Sequence, residues 1–244
     1  MIRLNRMTVS IRSRVLLSQI GFHVSRGTVL GVYGPNGAGK STLLRAMAGV
    51  LDLEHTGTIE INGVEISPRI DPAERCRKIL RLGSDFNSSF GVKVGELFEL
   101  AARTRGRSEG VARVLERLGL TGWVSRDFGD LSDGQKQWVM FGRALIQDPE
   151  VLVLDETFSK LDLDRLAAAK VLIRERADAG GVVVIASHDL NRLATWSDRL
   201  LLLASGRVVA EGTVKEVFNG ENLKKMYPDT DLEIDTQGRI SVRY

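Results

Sequence analysis

Nine consecutive residues, Gly34-Pro35-Asn36-Gly37-Ala38-Gly39-Lys40-Ser41-Thr42, set two spaced glycines ahead of a Lys and a hydroxyl pair. This pattern suits a loop that wraps phosphate. Glycines let backbone N–H groups converge on an anion, and a following helix adds its dipole. Lys40 can then reach the β- and γ-phosphates of a nucleotide, and the Ser41 hydroxyl can sit on Mg²⁺. The second chemical element is Asp155-Glu156, placed directly after the apolar run Val151-Leu152-Val153-Leu154. Asp155 can join the Mg²⁺ shell, and Glu156 can orient or deprotonate an attacking water. Two acids at a strand end mean little alone; beside a phosphate loop they complete a site for phosphoryl chemistry.

Such residues work only if the chain brings them to one edge. Val29 to Tyr33 reads as a buried strand before the loop, and Thr42 to Ala48 as a helix after it. Ile2, Leu4, Met7 and Val9 alternate loosely, as does Gly21 to Ser25. Gly57 to Ile66 predicts a hairpin turned by Asn62-Gly63, with Ile59, Ile61, Val64 and Ile66 apolar. Ile79 to Leu82 is a further short strand. From about residue 86 to 149 only helical spacing is present: Val94, Leu97, Leu100 and Ala101, then Val111, Ala112, Leu115 and Leu118 with Ser108 as N-cap. Strands resume at Val151 to Leu154, Val182 to Ala186 and Leu200 to Leu203, and a Gly206 turn leads into Val208-Val209. Helices over Asp164 to Asp178 and Leu190 to Trp196 separate them. Alternating strands and helices predict an α/β fold, a P-loop NTPase core with a mostly parallel sheet. Antiparallel strands stand at its N-terminus, and an α-helical subdomain is inserted. The chain is read as a single domain over 1–244: core 1–85 and 150–212, helical insertion 86–149 and C-terminal extension 213–244. That extension reads as two short helices, then Leu232 to Ile234 and Ile240 to Val242 around Gln237-Gly238.

The totals agree with a packed core. Of 244 residues, 43% are hydrophobic and 27% charged. The longest apolar run, near Val182 to Ala186, is far short of a membrane span. Met1 to Arg6 has no signal-peptide apolar stretch. A single cysteine, Cys76, excludes an internal disulfide framework and suits a reducing cytoplasm. A net charge of +3 does not argue for nucleic acid. Residues 69–117 carry 11 Lys/Arg against 7 Asp/Glu, which reads as a solvated helical face or as a surface facing a membrane or partner.

Leu131-Ser132-Asp133-Gly134-Gln135 stands at the start of a predicted helix, Gln135 to Ile146. It resembles the Leu-Ser-Gly-Gly-Gln signature of the ATP-binding-cassette ATPases, and its place just ahead of the Asp155-Glu156 strand matches too. Ser132 and the N–H groups at the helix start make a second anion site. The resemblance covers nearly the whole chain. It implies ATP and Mg²⁺ as cofactors and ATP hydrolysis as the activity. Ser159-Lys160-Leu161-Asp162 matches the family's loop that communicates across a dimer. Ser187-His188-Asp189 matches its switch histidine, which contacts the γ-phosphate. The implied catalytic residues are Glu156, His188 and Lys40. Residues 34–42, Ile11, Ser132 and Gly134 would bind nucleotide, and Ser41, Asp155 and Ser84 the metal. No Asn-Lys-x-Asp guanine-reading motif occurs, which counts against a GTPase.

Four departures from the family pattern carry consequences. Ser84 stands where the family places a Gln, so Ser84 or Asp85 would substitute in metal coordination. Ile11 replaces the adenine-stacking aromatic, Asp133 replaces a signature Gly, and Thr157 replaces the Pro after the catalytic acid. The resemblance further implies two copies closing head-to-tail on two ATP molecules. It also implies integral membrane subunits, with this chain at the cytoplasmic face of the membrane. A substrate-binding protein would join if the transporter is an importer, and nucleic acid is not expected. The tail stretches Gly212 to Phe218 and Glu221 to Tyr227 resemble importers of iron-siderophore, heme or cobalamin type. An exporter ATPase, a soluble non-transport ATPase and a cassette that binds ATP but hydrolyses it poorly are the rival readings. Phe86 and Phe90, in the polar stretch Ser84 to Gly91, mark residues 84 to 99 as the expected docking surface for the membrane subunit.

Overall fold

The computed structural model describes residues 1–50, 54–67, 70–83, 91–105, 110–227, 232–234 and 240–242. The chain opens with the antiparallel pair β1 (Ile2–Ile11) and β2 (Arg14–Val24), then β3 (Val29–Tyr33), the glycine loop and α1 (Lys40–Met47). β4 (Glu54–Ile61) and β5 (Val64–Glu65) form the expected hairpin. Asn62 and Gly63 both take positive φ, 48° and 79°, as a tight hairpin turn requires. α2 (Pro72–Lys78) and β6 (Ile79–Leu82) follow. Next come α3 (Val94–Arg105), α4 (Val111–Arg117), a 3-10 turn at Thr121–Trp123 and α5 (Asp133–Gln147). The alternating part then runs β7 (Val151–Asp155), α6 (Leu163–Asp178), β8 (Val182–Ala186), α7 (Leu190–Trp196), β9 (Arg199–Ala204) and β10 (Arg207–Thr213). α8 (Val214–Val217), α9 (Gly220–Met226), β11 (Leu232–Ile234) and β12 (Ile240–Val242) end the described chain.

The six-stranded sheet has the order β10-β9-β3-β8-β7-β6. All its neighbours are parallel except β10 against β9. β3, β7 and β8 are buried along their whole length, as apolar runs covered on both faces must be. Their side chains part strictly by parity. Val151, Val153, Val182 and Val184 face one core, shared with α1 and the antiparallel sheet β2-β1-β4-β5. Leu152, Leu154, Val183 and Ile185 face the other, shared with α5, α6 and α7.

In that second core a row of rings crosses three elements. Trp138 and Phe141 of α5 have centroids 5.7 Å apart, Phe141 meets Phe158 edge-on at 5.2 Å, and Phe158 lies 5.7 Å from Trp196 of α7. The Trp138 indole donates to the Leu118 carbonyl at 2.9 Å, so its one polar atom is satisfied. Elsewhere, Tyr227 after α9 reaches back to β3, its hydroxyl 2.8 Å from that of Tyr33. Burial first, then this hydrogen bond, pushes the Tyr33 phenol well above the ordinary tyrosine value.

Two differences from the sequence expectations have physical causes. The three-residue step from Leu4 to Met7 breaks strand alternation, yet both are buried. A bulge around Arg6, at φ 44°, absorbs the extra residue. α4 is capped by Gly110 at φ 106°, not by Ser108, which lies outside the described residues. Phe141→Ala should cost about 3–5 kcal/mol in urea denaturation, because fixed rings on both sides cannot fill the space. A loss below about 1 kcal/mol would show that the row collapses freely.

Candidate functional site

Parallel strands release their C-terminal loops on one edge. β3 releases the glycine loop, β7 releases Asp155-Glu156, and β8 releases Ser187-His188. Residues Asn36 to Thr42 and Glu156 line a cavity of about 290 Å³. At the start of the loop, a Cβ on Gly34 would stand 2.3 Å from the Leu203 carbonyl oxygen, so only glycine lets the loop pass β9. Lys40 is nearly buried, and its Nζ donates to the carbonyls of Gly34 at 2.6 Å and Pro35 at 3.3 Å. Burial lowers its pKa, while the Glu156 and Asp155 carboxylates pull it back up. The ammonium is thus aimed into its own loop, with two carboxylates close enough to favour its charged form.

Asp155 is the buried centre of the site. Its Oδ1 accepts from the Ser41 hydroxyl at 3.2 Å. Its Oδ2 accepts from Arg81 Nη2 at 2.7 Å and Nε at 3.2 Å. The Ser41 and Asp155 donors are hard oxygens in contact with one another, which fits Mg²⁺. That ion takes one or two protein ligands and completes its octahedron with phosphates and water. Ser84, the third expected metal ligand, and Asp85 lie outside the described residues.

Glu156 adopts φ 52°, a conformation costly for a residue with a side chain. Its N–H donates to Ala186 O at 3.1 Å, which fixes the turn against β8. The carboxylate then meets His188, whose Nδ1 is 2.9 Å from Glu156 Oε2. An ionised carboxylate only accepts, so Nδ1 carries the proton and Nε2 faces away from the contact. Thr157 donates its hydroxyl to Leu82 O at 3.1 Å, tying this turn to β6 without the Pro that the family places there.

At the other motif, Ser132 is the N-cap of α5 and forms a capping box with Gln135. Asp133 is ion-paired with Lys160 inside the chain, and this contact holds its carboxyl below the usual range. The extra charge of this signature is therefore answered by its neighbouring loop. A Cβ on Gly134 would lie 2.5 Å from the Lys160 carbonyl oxygen, so the helix start and that loop pack backbone to backbone. Ser132 and Gly134 do not line the cavity at Lys40, and neither does Ile11, which is 42% exposed at the β1–β2 turn. Phe86 and Phe90 lie outside the described residues. Sequence reasoning missed Arg81. Its only signal was one charge in an otherwise apolar four-residue strand, Ile79-Leu80-Arg81-Leu82.

A family profile described as ABC transporter matches residues 17–159. The hemin import ATP-binding protein HmuV of Chelativorans sp. (strain BNC1) is 35% identical over 248 residues, covering 96% of this chain and 93% of that protein. HmuV of Deinococcus radiodurans is 36% identical over 237 residues, covering 93% of this chain and 89% of that one. A solved ATP-binding subunit of an ABC transporter superposes with a TM-score of 0.84 at 25% identity, covering 93% of this chain and 98% of its own.

Gly134→Ala forces the start of α5 away from Lys160 and should cost about 1–3 kcal/mol, the range for overpacking. Thermal melting reads this directly. An unchanged melting temperature would mean that the loop yields without cost.

Proposed function

The chain belongs to the ABC transporter family, and we propose that it is the ATP-hydrolysing subunit of an importer for heme or a related iron chelate. The observation that carries the enzymatic part is the convergence of Lys40, Ser41, Asp155, Glu156 and His188 at one sheet edge. The hemin-import relatives support the cargo. Among the described residues no helix is long and apolar enough to cross a membrane; in this reading separate membrane subunits supply the passage.

In this reading residues 34–42 hold the triphosphate of ATP, with Lys40 on the β- and γ-phosphates. Ser41 and Asp155 hold Mg²⁺, which neutralises phosphate charge when bound. Glu156 positions the attacking water, and His188, held by Glu156 through Nδ1, keeps Nε2 for the γ-phosphate side. Ser132 and Gly134 stand away from the chain's own cavity and serve the site of a second copy. Lys160 keeps Asp133 from repelling the phosphate offered there. The chain acts as one domain, its helical part 86–149 carried on the core, with the membrane subunit docking beside residues 84 to 99 at the cytoplasmic face. A substrate-binding protein delivers the cargo from the other side.

Reconstitution of the chain with its membrane subunits in vesicles tests the whole reading. ATP inside the vesicles should drive hemin accumulation. A complex that moves a different cargo, or exports, removes the importer assignment. In the same vesicles Glu156→Gln should bind ATP normally, turn over at least ~100-fold more slowly and trap a dimer. Near-normal hydrolysis by that variant removes Glu156 from the catalytic role.

Ile11 offers adenine an aliphatic face. Aromatic stacking on a base is worth on the order of 1–3 kcal/mol. Without it, GTP and ATP should support hydrolysis within about tenfold of each other. A strong ATP preference would assign base recognition to another residue.

A further inference from the structure

Asp155, the residue assigned above to Mg²⁺, already has a cation in contact. Arg81 lies on β6, the edge strand, in register with Val153 of β7. From there its side chain reaches two residues along β7 and places Nη2 and Nε on Asp155 Oδ2. The ion pair is 12% exposed at Arg81 and 4% at Asp155. Oδ1 is taken by the Ser41 hydroxyl, so each carboxylate oxygen has a donor.

We propose that Arg81 is a built-in counter-cation for Asp155, which fixes that carboxylate for the reaction and makes metal entry depend on nucleotide. The inference rests on the assignment of Asp155 to Mg²⁺. A lone carboxylate at this burial is costly, and two guanidinium N–H groups on Oδ2 offset that cost, fixing the carboxylate together with the Ser41 hydroxyl on Oδ1. The same charge repels a second cation. A free divalent ion approaching Asp155 meets a neutral pair with guanidinium on one side. An ion that arrives with phosphates brings its own negative charge and is not repelled in the same way. Arg81 is thus a positioning residue: it acts on the metal through Asp155. Lysine at this position would keep the charge and lose the fork.

Mn²⁺ is the probe, because free and bound ion are separated by electron paramagnetic resonance without turnover. The nucleotide-free chain should bind Mn²⁺ weakly. Arg81→Gln and Arg81→Met, which remove the charge at similar length, should each tighten nucleotide-free Mn²⁺ binding by at least about tenfold. Arg81→Lys should stay within about threefold of wild type. Asp155→Asn is the control for the underlying assignment and should abolish the Mn²⁺ dependence of ATP affinity in calorimetry. If Asp155→Asn behaves so while whichever of Arg81→Gln and Arg81→Met folds binds Mn²⁺ like wild type, the role of Arg81 is overturned and the assignment of Asp155 stands. If Asp155→Asn leaves the metal dependence intact, the assignment of Asp155 fails and this inference falls with it.

Discussion

Everything in the site depends on the parallel ladder of β3, β8, β7 and β6. Parallel neighbours end on the same side, so their loops emerge together however far apart they lie in sequence. The glycine loop lies more than a hundred residues before the paired acids and the histidine, and the ladder removes that separation. The hydrophobic parity of Val151 to Leu154 and Val182 to Ile185 fixes the register. A slip by one residue would exchange the faces of β7 and turn Asp155 away from Ser41. The geometry of the chemistry is therefore held by aliphatic side chains that never touch it.

The polar groups at this edge hold each other in a fixed order. Ser41 and Arg81 converge on Asp155, Thr157 ties the next turn to Leu82, and Glu156 is held between Ala186 and His188. The row from Trp138 to Trp196 joins the middle of α5, the loop at Phe158 and the helix after His188.

Much of this was legible in the sequence. β8 and α7 fall where apolar runs and spacing place them, and the tail strands match as well. These elements are long or sharply bounded, and their pattern has one reading. What sequence missed was weakly patterned. α2 has no buried residue, so no periodicity marks it, although Asp71-Pro72 and Glu74 supply a helix start. The first half of β2 begins with exposed residues, Arg14 and Val15, at a ribbon turn. The chemical motifs are consecutive residues with fixed roles, and they were readable for that reason. Arg81 meets Asp155 across two strands, a contact that no local spacing encodes. Ile11 and Ser132 were legible only as positions, since neither lines the cavity at Lys40.

The Tyr33–Tyr227 contact has an optical consequence. Tyr33 is the last residue of β3, next to Gly34, and its partner arrives from the far end of the chain. The rings are 6.5 Å apart and tilted by 54°, an asymmetric pair held in a buried setting. With only three tyrosines and three tryptophans in the chain, such a pair stands out in near-ultraviolet circular dichroism. Burial and the contact with Tyr227 raise the Tyr33 pKa, so the Tyr33 phenol stays protonated in the alkaline range in which an ordinary tyrosine ionises. The protein therefore carries its own chromophore beside the first residue of the glycine loop, readable without any attached label.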